Sequence, residues 1–253
     1  MIEYIVVFLI GLVFGSFLNV LVHRIPLAIS LLKPIGSECP HCQHKIKWYE
    51  NIPVLSFLLL RGKCSSCSQK ISILYPAIEL TTAFVTLALY MSFWLNKELI
   101  GLIALFYTLI VLSFIDLKYR AVPDYLLIIA IIITAAIGNI VNILIFTGAF
   151  FLLEIAITFY IQNIKAKITK NKELETQKAL GEGDIPIVGI MGGLLGVQLG
   201  VSAIFLAALL ALVPAIYNLF SKEQIETAFI PFLSLGLLIT LITQFNIFLL
   251  FSG

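Results

Sequence analysis

The chain has 253 residues, 60% of them hydrophobic and only 12% charged, with a formal net charge of +2. Soluble globular domains run near about 45–50% apolar and about 25% charged, so the composition excludes a soluble domain and implies an all-α polytopic membrane protein. The positive charges are confined to a few loops, and no nucleic-acid partner is expected.

Apolar runs of roughly 20 residues are what a bilayer-crossing helix needs. The first, residues 2–22, has no basic segment before it and carries Glu3, and Arg24 follows where a small-residue cleavage site would stand. It is read as a retained transmembrane helix rather than a cleaved signal peptide. Further spans are expected at 74–95, 99–115, 125–137, 140–161, 185–199, 201–220 and 228–250, about eight in all, with no internal repeat. The expected organisation is a first transmembrane helix (1–22), a small cytoplasmic zinc-knuckle domain (23–73) and a transmembrane remainder (74–253).

Fifteen of the sixteen Lys and Arg residues fall in the loops after the first, third, fifth and seventh spans, and only Lys97 falls in the others. The positive-inside rule places those four loops in the cytoplasm and both termini outside. The alternation supports the count of spans.

All four cysteines and all three histidines lie between residues 23 and 67. Cys39-Pro40-His41-Cys42 and Cys64-Ser65-Ser66-Cys67 form two C-x-x-C pairs, the spacing of a four-thiolate zinc site. A cytoplasmic loop keeps its thiols reduced, which disfavours disulfides. Four thiolates leave no open coordination position, so the metal would staple the fold rather than catalyse. His41 and His44 are expected as neighbours, not ligands. The apolar stretch 52–60 is too short to span and is expected under the knuckles or on the membrane surface.

The chain has only three aspartates: Asp116 at the end of the third span, Asp124 at the start of the fourth, and Asp184 after Gly181-Glu182-Gly183 at the start of the sixth. Ionisable groups at such positions are functional candidates. Two carboxylates sharing one site hold a single proton between them, as in aspartic proteases. Asp116 and Asp184, from separate helices at the cytoplasmic edge, are the expected catalytic pair, although spacing alone suits Asp184 equally to capping the N-terminus of its helix. Asp124 follows Pro123 and suits the N-terminus of a helix.

Gly181 and Gly183 permit a tight turn or close backbone approach. Gly192, Gly196 and Gly200, with Gly189 and Gly193, form a small-residue stripe expected to pack another helix. Besides Glu3 at the edge of the first span, Glu79 and Glu154 are the other acids within spans. Glu79 lies near the cytoplasmic edge, where it could support the carboxylate site; Glu154 has no assigned role. An alternative function for the same acids is an ion or solute path through a small transporter, although the transporter-like inverted repeat is not visible.

An ordered set of strings resembles the bacterial type IV prepilin peptidases, G-x-G-D aspartic intramembrane proteases. The set runs Gly15-Ser16-Phe17-Leu18-Asn19-Val20, Arg24-Ile25-Pro26, the paired knuckles with Trp48-Tyr49-Glu50-Asn51-Ile52-Pro53 and Leu60-Arg61-Gly62 between them, Tyr75-Pro76-Ala77-Ile78-Glu79, Asp116 through Pro123-Asp124, and Gly181-Glu182-Gly183-Asp184. The resemblance implies an inner-membrane enzyme that removes the basic leader of prepilin or pseudopilin helices on the cytoplasmic side, after a glycine. It also implies S-adenosylmethionine-dependent N-methylation of the new terminus. On this resemblance Asp116 and Asp184 are catalytic, Gly181, Gly183, Asp124 and Glu79 support them, and Cys39, Cys42, Cys64 and Cys67 hold zinc. Pro186 stands where the family often has a lysine, and the stretch 33–39 lacks a basic residue common before the first knuckle. No nucleotide-binding loop marks the methyl donor's site.

Overall fold

A computed structural model describes residues 1–31, 38–39, 41–169, 181, 183–221 and 228–250, with only the backbone at 218–221 and 250. Most of the stretch 33–38, Glu182 and the basic residues from 170 to 178 therefore lie outside the described residues, as does Lys222.

The described chain is helical: α1 (Ile2–Arg24), α2 (Leu55–Leu59), α3 (Leu74–Phe93), α4 (Lys97–Tyr119), α5 (Asp124–Ile137), α6 (Ile140–Phe159), α7 (Ala166–Thr169), α8 (Asp184–Ser221) and α9 (Ile230–Thr243). Among the described residues five segments are long and apolar enough to cross a membrane, and α5 and α9 are shorter apolar helices. The sixth and seventh expected spans run together as α8. They are separated by a break at Gly196 (φ 76°, ψ −173°), a conformation open essentially to glycine alone. Counting both arms of α8, eight apolar segments remain.

The chain divides into two compact units, 1–123 and 124–253. In the first, α1 packs along α3, and α4 packs on both. Gly11 and Gly15 make the α1–α3 approach possible. A Cβ on Gly15 would stand 2.6 Å from the Glu79 Cα, and one on Gly11 2.6 Å from the Ala83 Cα. The large side chains Ile5, Leu9, Val13 and Phe17 point outward, as lipid permits, because small residues rather than apolar ones mark the packing face of a membrane helix.

In the second unit α8 packs against α5, α6 and α9. The glycine stripe of α8 serves helix packing, as expected: Gly189, Gly192 and Gly193 leave room for Thr147, Phe146 and Ile143 of α6. Gly196 is the exception, since it breaks the helix instead of packing. A break frees carbonyls in the preceding turn, and the Asn139 N–H donates to one of them, the Gly193 carbonyl (2.9 Å). Asn139 in turn caps α6, its Oδ1 accepting from the N–H groups of Val141 (2.9 Å) and Asn142 (3.3 Å).

Candidate functional site

The knuckles are built first by their backbones. In each, the first cysteine exchanges hydrogen bonds with the chain that returns past it. The Cys39 N–H donates to the His44 carbonyl (3.0 Å) and the Gln43 N–H to the Cys39 carbonyl (2.8 Å). The Cys64 N–H donates to the Gln69 carbonyl (2.9 Å) and the Ser68 N–H to the Cys64 carbonyl (3.0 Å). Gln43 (φ 57°) and Ser68 (φ 58°) occupy equivalent left-handed positions, and the bridges Glu38–Lys45 and Lys63–Lys70 close equivalent loops. The two knuckles are one motif used twice. The sequence carries that repeat as Cys-x-x-Cys-x-x-Lys-Ile at 39–46 and again at 64–71, which corrects the expectation of no internal repeat.

The four Sγ atoms lie within 4.8 Å of one another, with Cys39–Cys67 at 3.8 Å and Cys42–Cys64 at 3.9 Å. A tetrahedron with zinc–sulfur bonds of about 2.3 Å has edges of about 3.8 Å, so the thiols fit a four-coordinate metal. The N–H groups of Cys42 and then His41 pull the Cys39 thiol down to about 7. At Cys67 the Gln69 N–H acts in the same direction, but desolvation and the three neighbouring thiols outweigh it and leave that thiol at about 11. Close packing of four thiols thus penalises the last deprotonation, which a bound cation would reverse.

Glu50 steadies the knuckles from the side. Its Oε2 accepts from the Lys47 N–H (2.8 Å) and lies 3.3 Å from His44 Nε2. The Ser65 hydroxyl, the Lys47 N–H and His44 together hold the carboxyl down at about 2.

Glu79 of α3 is buried, 7% exposed. Its Oε2 accepts from the Val54 N–H at 2.8 Å, and Asn19 Nδ2 donates to the Tyr75 carbonyl at 3.1 Å and lies 3.5 Å from Glu79 Oε1. The Ser16 hydroxyl bonds the same carboxylate. Val54 has φ 60° and ψ −46°, and the Leu55 N–H donates to the Pro53 carbonyl at 2.6 Å. That is a γ-turn of the rare, strained hand, on a β-branched residue for which positive φ is an outlier. The stretch 52–60 therefore does more than fill space. It turns on Val54 and forms α2, with Leu58 and Leu59 exposed on its outer side.

The expected catalytic aspartates are placed as follows. Asp116 is buried, 8% exposed, near the end of α4. Its carbonyl accepts from the N–H of Arg120, whose left-handed conformation (φ 53°) ends the helix. Asp184 opens α8 in the second unit, and its N–H donates to the Gly181 carbonyl at 3.0 Å. A Cβ on Gly181 would lie 2.9 Å from Asp184 Oδ2, so that glycine clears space for the carboxylate itself. Gly183 stands directly before α8 and is half-buried. Asp124 is exposed at the first position of α5, where the helix dipole favours an anion. Glu154 accepts from the Thr158 hydroxyl within α6 (3.0 Å).

A buried acid near the end of one apolar helix, an aspartate opening another and a cluster of four cysteines between the first two long helices define a polytopic helical membrane protein with a paired cysteine knuckle. The Bacterial Peptidase A24 N-terminal domain matches residues 9–93 and the Type IV leader peptidase family matches residues 103–216. A prepilin leader peptidase/N-methyltransferase of Bacillus subtilis is 33% identical over 205 residues, covering 81% of this chain and 79% of that protein. The Neisseria gonorrhoeae protein of the same name is 32% identical, covering 90% of this chain and 86% of its own length. In the Myxococcus xanthus protein of that name the match is 44% identical over 116 residues, 46% of this chain and only 34% of that longer relative. No solved structure shows significant similarity. The chain belongs to the type IV leader peptidase family. The findings do not support the transporter alternative.

Proposed function

We propose that the protein is a membrane-embedded aspartic endopeptidase of the bacterial inner membrane that removes the basic leader of prepilins or pseudopilins after a glycine, and then N-methylates the new terminus. The observation that carries this reading is the family match along the chain, with Asp116 buried on α4 and Asp184 cleared by Gly181 at the start of α8. The acids, the knuckles and most of the basic loops belong to the cytoplasmic side by the charge rule.

Asp116 and Asp184 are the proposed catalytic pair, holding one proton between them. The ionised carboxylate takes a proton from a water as that water attacks the scissile carbonyl. The protonated one gives its proton to the carbonyl oxygen, and proton return to the nitrogen releases the leader's partner amine. Gly181, Gly183 and Asp124 shape the approach, and Glu79 supports the fold on the first unit. Zinc at Cys39, Cys42, Cys64 and Cys67 is a structural staple. S-adenosylmethionine supplies an electrophilic methyl group for the second activity.

The test is cleavage of a prepilin in membranes by wild type, Asp116→Asn and Asp184→Asn, read by N-terminal mass. Loss of leader removal in both variants at normal expression supports the pair; retained cleavage in either removes that residue from it. A mass increase of one methyl group on the wild-type product supports the second activity.

A further inference from the structure

Between the knuckles the chain exposes apolar side chains. Leu55, Leu58 and Leu59 stand on the outer side of α2, with Leu58 64% and Leu59 74% exposed. Trp48 is 82% exposed and packs edge-on against Tyr49, which is exposed too. The turn at Trp48–Asn51 touches α2, so the five lie on neighbouring segments. None of them belongs to a described membrane-spanning helix, and an apolar patch of this kind marks an interaction surface. The inner side of α2 is already taken: Phe57 and Leu60 line a cavity of about 670 Å³ bounded by α1, α3 and the knuckles.

The level of α2 along the spans identifies what covers the patch. α1 and α3 run antiparallel, with Gly11 against Ala83, Gly15 against Glu79 and Asn19 bonded to the Tyr75 carbonyl. Glu79 is thus level with Gly15. Arg24, the first basic residue past that span, lies about 13 Å further along at a rise of about 1.5 Å per residue. The Glu79 carboxylate holds the Val54 N–H at 2.8 Å. The start of α2 is therefore one side chain's reach from Gly15, within the apolar length of α1.

Charge then selects the kind of bilayer. Residues 23–73 contain seven Lys or Arg and only two Glu. Lys47, Arg61 and Lys63 are exposed and bracket the patch, whereas Glu50 is occupied with the Lys47 N–H and His44. Leucines, amphipathic rings and flanking cations together suit the interface of an anionic membrane. A prepilin helix is the competing occupant, but it would bring a basic leader toward a surface that is itself basic.

We propose that residues 47–63 form a foot that docks the knuckle domain on anionic phospholipid. Leu55, Leu58 and Leu59 enter the boundary between headgroups and acyl chains, Trp48 and Tyr49 lie among the headgroups, and Lys47, Arg61 and Lys63 meet their phosphates. A helix of five residues has little stability of its own, and burial of its leucines in lipid supplies what it lacks. Glu79 fixes one end of the foot and the membrane fixes its outer side. The wall of the cavity that α2 provides then rests on the bilayer.

The chain has two tryptophans, Trp48 and Trp94, so Trp94→Phe leaves Trp48 as the sole reporter. Full-length protein is placed in nanodiscs of phosphatidylglycerol or phosphatidylcholine, each with and without bromines high on the acyl chains. Trp48 emission should be blue-shifted from that of solvated tryptophan and should lose intensity to the brominated lipid, more strongly in phosphatidylglycerol. Leu58→Glu with Leu59→Glu should abolish the quenching. Lys47→Gln with Arg61→Gln and Lys63→Gln should abolish the difference between the two lipids. Thermal unfolding of each variant shows that it folds. Unquenched emission in both lipids, or equal quenching in both, overturns the proposal, and that comparison needs no change within the foot. A blue shift that appears only when a prepilin is added overturns it in favour of a substrate-docking surface.

Discussion

Glu79 on α3 accepts the backbone N–H of Val54 at 2.8 Å, at the one residue where the chain between the knuckles passes through a γ-turn of the strained hand. A transmembrane helix thereby carries a hydrogen-bonded register mark for the domain above it. The carboxylate also meets Asn19 and Ser16 of α1, so one buried acid ties together three segments far apart in sequence.

Val54→Gly tests the strain. Glycine adopts positive φ without penalty, and release of about 1–3 kcal/mol should offset the lost valine packing. The variant is expected within about 1 kcal/mol of wild type, or more stable. Glu79→Ala should cost about 1.5–3 kcal/mol through the unpaired Val54 N–H. Unfolding in detergent compares them, and equal damage from both would argue that the turn stores no strain.

Gly15→Ala places a methyl group 2.6 Å from the Glu79 Cα. Backbone cannot yield as a side-chain end can, so α1 and α3 must separate, at a cost of about 1–3 kcal/mol. Gly148→Ala is the control. A Cβ there meets nothing within 4 Å, and alanine gains about 1 kcal/mol of helix propensity. Thermal unfolding should move down for the first and stay or rise for the second.

Gly196→Ala should destabilise despite open space. The nearest atom to a Cβ is Asn142 Nδ2 at 3.9 Å, so the penalty is conformational, about 1–3 kcal/mol for φ near 76°. If thermal stability is unchanged, α8 does not need this break.

Gly181→Ala puts a methyl group 2.9 Å from Asp184 Oδ2. The carboxylate must rotate or shift, and displacements of about 1 Å at a reacting group can cost about a hundredfold in rate. Prepilin cleavage should fall by at least about tenfold with normal expression. Cleavage at the wild-type rate would show that the carboxylate has room to spare.

Glu50 carries a pH dependence with a definite sign. Its ordinary value of 4.5 is depressed to about 2 in the folded protein. Its contribution is therefore fully present above about pH 4.5 and is lost as pH falls toward 2. Chelator-driven metal release should be faster for Glu50→Gln than for wild type at neutral pH. The difference should persist down to about pH 4.5 and shrink below it; a difference that vanished near pH 6 would point to His44 as the group responsible.

The spans, the gathering of the four cysteines and the placing of the aspartates at helix ends were legible because each depends on local chemistry. Apolar length meets bilayer thickness, thiol spacing meets a metal's coordination shell, and a carboxylate stands out in an apolar run. The repeat Cys-x-x-Cys-x-x-Lys-Ile was legible too, though only the matched geometry of Gln43 and Ser68 brings it forward.

Other features are decided only by the tertiary structure. Hydropathy is silent about which face of α1 meets protein, because lipid and protein interiors are equally apolar; Gly11 and Gly15 decide it by admitting the backbone of α3. Nothing in the local sequence marks Val54 for positive φ, since valine resists it; the turn is closed by the Leu55 N–H on the Pro53 carbonyl and held from outside by Glu79, 25 residues later. The cavity beneath the knuckles is also a product of assembly. It belongs to no motif and arises where α1, α2, α3 and the two cysteine knuckles are brought together, so a sequence that gives its lining residues one by one still leaves their common space to the fold.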